Sequence, residues 1–152
     1  MSTITISIMA KDSARTIART IDSVVAQDFQ DWQLIVVISK SEDGTLAIAK
    51  SYEDSDHRIK LLLRDEVYSW ANGALLALEY SETPFFMWLD ADDYIEATFL
   101  DRAIRKLVDS NFIGCAGMVV LTNDGGVSEL PNISSRKVFR FASSRWRSKR
   151  LL

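Results

Sequence analysis

The chain has 152 residues, 47% of them hydrophobic and 26% charged, with a formal net charge of −3; that is enough for one domain with its own core and ordinary for a soluble globular protein. No apolar run approaches the roughly 18 residues of a spanning helix, and no basic region followed by a long apolar core marks a signal peptide. The single Cys115 excludes an internal disulfide framework and reads as an inert buried thiol, and with the lone His57, placed in a polar loop, it makes a poor zinc set.

Taken in order, Thr3 to Met9 is β-branched and alternating and predicts a first strand. Asp12 or Ser13 is a candidate N-cap for a helix from Ala14 to Gln27, whose Ile17, Ile21, Val24 and Val25 fall on one face. Phe29 and Trp32 flank a polar turn and are expected to cover the end of the sheet. Leu34 to Ile38 predicts a second buried strand, ending at Ser39. The loop Ser41-Glu42-Asp43-Gly44 leads to a helix from Thr45 to Tyr52, with Leu46, Ile48 and Ala49 as inner candidates. Ile59 to Leu63 predicts a third strand. Ser69 is a candidate N-cap for a helix to Tyr80 carrying Leu75, Leu76 and Leu78. Phe85 to Leu89 predicts a fourth strand, and Phe99, Ile104 and Leu107 mark a following helix of about three turns. Ile113 to Leu121 predicts a further strand weakened by Gly114 and Gly117, and Asn123-Asp124-Gly125-Gly126 is a turn signal.

Strand and helix alternate four times. This predicts an α/β fold of three layers, α/β/α, with a mostly parallel sheet and right-handed crossovers. The domain is expected over residues 1–135, with a separate tail at 136–152. From Arg136 onward there are seven basic residues and no acid, so the preceding 135 residues carry a balance of −10. Val138, Phe139, Phe141 and Trp146 interleave with those charges. Such a segment can lie on an anionic membrane, stack on single-stranded nucleic acid, or form an ordinary solvated terminus.

The stretch Phe85-Phe86-Met87-Trp88-Leu89-Asp90-Ala91-Asp92-Asp93 is the most informative. An apolar run of this kind reads as a strand buried on both faces. It runs into three carboxylates at its C-terminal end, where open α/β sheets place their ligands. Carboxylates this close repel one another. A hard cation such as Mg²⁺ or Mn²⁺, shared with a phosphate-bearing substrate, relieves the repulsion. The competing reading is that the acids open a helix and complement its dipole. The loops after the first three strands fall at the same rim and offer amides and hydroxyls to a nucleotide.

In these residues the chain resembles the family-2 glycosyltransferases, which have the GT-A fold. The matching stretches are Ser23 to Val37, Ser41-Glu42-Asp43-Gly44-Thr45, Ala71-Asn72-Gly73-Ala74, and Trp88 to Tyr94 followed by Phe99-Leu100. The resemblance covers roughly residues 3 to 110. It implies a GT-A-like fold, in a chain that is the nucleotide-sugar-binding part of a longer enzyme or a domain of that extent. It also implies transfer of a sugar from a nucleotide-diphosphate donor, by family default a UDP-sugar, to an acceptor hydroxyl on a saccharide or a lipid-linked carrier. Asp90-Ala91-Asp92 is similar to the family's D-x-D motif. Asp90 is then expected near the ribose, and Asp92, with Asp90 and Asp93, at a Mn²⁺ or Mg²⁺ ion bridging the phosphates. Ala10, Asp12, Ser39, Ala71, Asn72, Asp90 and Ala91 are the expected nucleotide-sugar contacts. The expected setting is cytoplasmic and peripheral at the inner membrane face, with contact through residues 136–152 and no nucleic-acid partner.

Three departures stand out. Met9-Ala10-Lys11-Asp12 replaces the family's Pro-Thr-Tyr-Asn-like turn. Ile38 and Ser39 stand where an Asp pair is usual, and Ser39 is an uncharged, weaker partner for a base. No acid follows Glu129, so the catalytic base that an inverting transfer needs is not identified. Asp124 and Glu129, the only late acids, lie in turn-rich surroundings that suit ordinary surface residues. Two other functions remain in view. A donor-binding or scaffold domain without transfer activity fits the missing base. A nucleotidyltransferase that forms nucleotide-sugars fits the acidic rim, although it ordinarily shows a Gly-rich basic loop after the first strand. A doubly wound phosphoacceptor domain is weaker still, for want of a late Lys.

Overall fold

The computed structural model describes residues 2–65 and 69–108, together with the backbone of 122–123 and 126–127. The chain divides into two compact units, Met1–Leu100 and Asp101–Leu152.

The first unit is built on four parallel strands: β1 (Ile4–Ala10), β2 (Trp32–Ile38), β3 (Ile59–Leu63) and β4 (Phe85–Asp90), in the spatial order β3-β2-β1-β4. Between them run α1 (Ile17–Val25), α2 (Thr45–Ser55) and α3 (Trp70–Glu79). The first two crossovers step the chain from β1 to β2 to β3 in one direction. The third jumps back to the far side of β1. Because parallel crossovers are right-handed, a reversal of direction moves the helix to the other face. α1 and α2 accordingly touch each other, while α3 packs its buried Ala77 onto Ile35 and Val37 of β2. The result is the expected α/β/α layering.

The sheet core is apolar on both sides. Ile6, Ile8, Leu34 and Val36 are fully buried, as are Ile17, Ile21 and Val24 of α1. The α1 stripe has the i, i+4, i+7 spacing of a single face, and each such side chain contributes about 1.5–3 kcal/mol by leaving water. At the rim of strand N-termini, Thr5 (fully buried) shares a hydroxyl cluster with Thr83 at 2.7 Å and Ser81 at 2.8 Å, and accepts from Gln33 Nε2 at 2.7 Å. That cluster joins β1, β2 and the entry to β4. Trp32 is the first residue of β2, fully buried under the Arg58 guanidinium, which lies 3.7 Å from its ring centre.

Several expectations are corrected. α1 begins at Ile17, not Ala14, and neither Asp12 nor Ser13 is its N-cap; Thr16 holds that place without a side-chain cap. Leu46 and Leu75 face outward, at 41% and 58% exposure, whereas Ala49 and Ala77 are buried. The small residues are the inner ones because a helix lying flat on a sheet leaves little room beneath it. β4 is not buried on both faces: Phe85, Phe86 and Met87 are half-buried and Trp88 is 40% exposed. Among the described strands β4 pairs with β1 alone, so it lacks the second neighbour that would bury it. Ser69 caps α3 as expected, accepting from Asn72 N at 3.3 Å.

In the second unit, α4 (Phe99–Val108) starts in the last residues of the first, and Asp101 pairs with Arg105 one turn on at 2.9 Å. The short antiparallel strands β5 (Thr122–Asn123) and β6 (Gly126–Val127) flank the predicted turn. The strand expected at Ile113 to Leu121, the acids Asp124 and Glu129, and the tail at 136–152 lie outside the described residues.

Candidate functional site

All four strands are parallel, so their C-terminal ends share one rim. Strand order reverses between β1 and β4, which makes the rim there a switch point where neighbouring loops leave in opposite directions and open a crevice. Met9 of β1 stands opposite Asp90 of β4, and Ala10 opposite Ile38 of β2. The loops after β1, β2 and β4 therefore meet at one place.

The loops after β1 and β2 are fastened to each other. Ser39 N donates to Ala10 O at 3.0 Å. Asp12 N donates to Ser41 Oγ at 3.1 Å, and Asp12 Oδ1 accepts from Glu42 N at 3.1 Å. Asp12 takes a left-handed conformation, φ 48°, which short polar side chains tolerate better than most. Ser13 N donates to Thr45 Oγ1 at 2.8 Å, and Ala14 N to Asp43 Oδ2 at 2.9 Å. Asp43 also accepts from the Thr45 hydroxyl at 2.5 Å. That hydroxyl, then the Ala14 amide, hold its carboxyl below the usual range. Asp12 and Asp43 are thus spent on loop architecture. Ala10 and Ser39, both buried, form the floor between the two loops.

Ala71 and Asn72 are exposed in the first turn of α3. Their neighbour Gly73 lies so close to β1 that a Cβ there would stand 2.2 Å from Met9 Sδ. That close approach brings the start of α3 to the same rim.

After β4 the chain turns on a bond from Asp93 N to Asp90 O, 3.1 Å. It then runs without regular structure until α4 begins at Phe99. The acids therefore do not open a helix. Asp90, Asp92 and Asp93 are all exposed, and Ala91 between them is buried. Partial burial, then the charges of Asp92 and Asp90, push the Asp93 carboxyl above its ordinary range, against the opposing pull of Arg19. No three His, Cys, Asp or Glu side chains among the described residues form a ready-made metal cage.

The acidic loop is held from below by α1. Thr20 Oγ1 donates to Ala91 O at 2.9 Å and Arg19 Nη2 to Asp92 O at 3.2 Å. The Arg19 guanidinium also lies 4.8 Å from the Tyr94 ring centre. Ser23 Oγ accepts from Ile95 N at 3.2 Å. Gln27, buried, donates to Glu96 O at 2.8 Å and accepts from Leu100 N at 3.0 Å. None of these roles was expected from the sequence. The available signal was the polar spacing at 20, 23 and 27, one turn apart on the helix expected from Ala14 to Gln27, although α1 itself ends at Val25 and Gln27 lies just beyond it.

Comparison with known proteins bears on this arrangement. The family model for Glycosyl transferase family 2 matches residues 5–151. The chain belongs to glycosyl transferase family 2. A relative, the UDP-Glc:alpha-D-GlcNAc-diphosphoundecaprenol beta-1,3-glucosyltransferase WfgD of Escherichia coli, is 31% identical over 116 residues, covering 76% of this chain and 45% of that protein. The structure of S. aureus TarS 1-349 in complex with UDP superposes with a TM-score of 0.64 at 21% identity, covering 76% of this chain and 38% of that one. The mannosyltransferase PcManGT from Pyrobaculum calidifontis, in complex with GDP-Man and Mn²⁺, gives 0.56 at 22% identity, covering 60% and 28%. These likenesses establish the glycosyltransferase fold. This family-2 chain spans less than half the length of each of the three proteins.

Proposed function

We propose that the chain binds a nucleotide-diphosphate sugar at the rim between β1, β2 and β4, and forms the donor side of a glycosyltransferase that passes the sugar to an acceptor hydroxyl. The observation that carries this reading is the acidic turn. Asp90, Asp92 and Asp93 lie exposed at the switch point of the sheet, where partial burial and then the charges of Asp92 and Asp90 raise the Asp93 carboxyl. Family membership supports it, as do structurally similar proteins found in complex with UDP and with GDP-Man.

The residues present fit a divalent cation, Mn²⁺ or Mg²⁺. Such ions take one or two carboxylates and complete their shell with water and substrate phosphate. The acidic turn supplies carboxylates of that kind without a closed protein cage. Asp92 and Asp90 would hold the ion, with Asp93 beside them. When bound, it supplies Lewis-acid stabilisation of the charge that gathers on the departing diphosphate. The chain's own contribution is placement. Ala10 and Ser39, buried where the two loops meet, support from beneath the surface on which a base and ribose can lie. Asp12 keeps the two adjoining loops together. Ala71 and Asn72, at the start of α3, face the sugar side. The acceptor is a saccharide or lipid-linked carrier, as the name of the WfgD relative suggests, and residues 136–152 are the segment suited to an anionic membrane surface.

A second reading is donor binding without transfer, favoured by Ile38 and Ser39 in place of an Asp pair. One experiment separates binding from neither. UDP with Mn²⁺ should raise the melting temperature of the chain, and Asp92→Ala should remove the shift. Release of UDP from a UDP-sugar then distinguishes transfer from binding alone. No shift with any nucleoside diphosphate and either metal overturns the donor-site reading.

A further inference from the structure

The three successive carbonyls of the acidic turn are all occupied. Asp90 O accepts from Asp93 N, Ala91 O from the Thr20 hydroxyl at 2.9 Å, and Asp92 O from Arg19 Nη2 at 3.2 Å. Two of these donors belong to α1, some seventy residues earlier in the chain. The loop from Ala91 to Thr98 has no regular structure of its own to fix it. Its conformation is therefore set by what it touches. With the Ala91 and Asp92 carbonyls turned onto α1, the side chains of Asp90, Asp92 and Asp93 are left at the exposed side.

Thr20 is fully buried. Among the described residues its hydroxyl has only Thr16 O, at a long 3.4 Å, as a further acceptor. The bond to Ala91 O is thus its main satisfied contact, and it falls on the residue between the two aspartates. Arg19 is exposed but not loose. Its guanidinium is held between Asp92 O and the Tyr94 ring, so its charge stays beside the acids.

We propose that Thr20 and Arg19 are positioning residues for the acidic turn, holding the backbone of Ala91 and Asp92 so that the Asp90 and Asp92 carboxylates are presented together to a cation and a diphosphate. This deepens the donor-site reading and rests on it. Neither residue touches substrate. They act through the backbone, in the way that groups behind a metal's ligands fix those ligands in place, and losing such a group typically weakens metal binding about 10- to 100-fold.

The test uses the whole 152-residue chain, MnCl₂ and UDP. Thr20→Val keeps the shape of the side chain and removes the donor. Calorimetry with UDP saturating should show Mn²⁺ affinity falling by about tenfold, and Thr20→Ser should restore it. Arg19→Met should weaken it in the same direction. A metal-free readout accompanies these. In Thr20→Val the amides of Asp93 and Ile95, bonded to Asp90 O and Ser23 Oγ, should exchange faster with solvent, while those of β1 and β2 keep their protection. If Thr20→Val takes Mn²⁺ and UDP as tightly as the parent, or if Thr20→Ser fails to restore what Thr20→Val loses, the positioning role is overturned and the donor site stands. If the parent itself shows no Mn²⁺-dependent UDP binding, the donor-site reading falls and takes this role with it.

Discussion

Tyr52 helps tie α2 to α1, its phenol donating to Asp22 Oδ1 at 2.7 Å with Ala18 O also near at 3.3 Å. Burial first, then the bond and charge of Asp22, push the Tyr52 phenol up to about 12 from an ordinary value of 10.0. The folded state thus favours the neutral phenol more than the unfolded chain does. Its contribution to stability is complete below pH 10 and is lost as pH rises from 10 towards about 12. Tyr52→Phe should cost about 1 kcal/mol near neutral pH through the lost bond. It should also flatten the fall of melting temperature across that alkaline window relative to the parent. Equal slopes for the two proteins would count against the account. The same scale shows what sequence alone conveys. Asp90, Asp92 and Asp93 stand out because three acids follow an apolar run. Thr20 and Gln27 do not, because a polar residue on an amphipathic helix looks the same whether it meets water or a distant loop. Asp12 invites reading as a helix cap, since Asp before an apolar stripe usually is one. Here its left-handed backbone turns it instead towards Ser41 and Glu42.

Between elements, α3 approaches β1 closely. Gly73 has no room for a side chain: a Cβ would lie 2.2 Å from Met9 Sδ and 3.2 Å from its Cγ. Alanine would gain about 1 kcal/mol of helix propensity, but overpacking typically costs about 1–3 kcal/mol. Met9 cannot swing aside freely, because it packs against the cluster of Ile35, Val37 and Ala77. Gly73→Ala should therefore destabilise the chain in urea unfolding by about 1 kcal/mol. Combined with Met9→Ala, the loss should fall short of the sum of the two single losses, since one change makes the space that the other fills. Simple additivity would show that the contact is not what matters. The alternation of strands and helices was legible because hydrophobic period and length separate the two types. Which helix residues lie inside was less so. Leu46 and Leu75 look like anchors, yet Ala49 and Ala77 occupy the flat helix–sheet contacts. In β4, the run Phe85 to Leu89 suggests burial on both faces, but pairing with β1 alone among the described strands leaves Trp88 40% exposed. Burial of a strand depends on its neighbours, and neighbours are not written in the strand.

Over the whole first unit, the strand order β3-β2-β1-β4 gives the molecule two unlike rims. One carries the N-termini of the strands and is closed by the Thr5–Ser81–Thr83 hydroxyl cluster and by Arg58 over Trp32. The other carries the loops after β1, β2 and β4. The alternating pattern predicts parallel strands, and so predicts that one rim collects every loop that follows a strand. The position of the reversal, between β1 and β4, follows from pairing over a long sequence distance and is visible only in the fold. That polarity makes a sharp expectation. UDP with Mn²⁺ should slow amide exchange at Asp12, Ser13 and Ser39, already bonded across the loops, and at Asp93 and Ile95 in the acidic turn. Thr3, Ile59 and Phe85 mark the other rim, where their amides bond Asp31 O, Asp56 O and Thr3 O, and these should exchange at the same rate with and without ligand. A ligand that merely stabilised the unit globally would slow exchange at both rims alike. One that bound elsewhere would spare the loops after β1 and β4. Slowing confined to the β1, β2 and β4 loops is the outcome that a donor seated at the switch point requires.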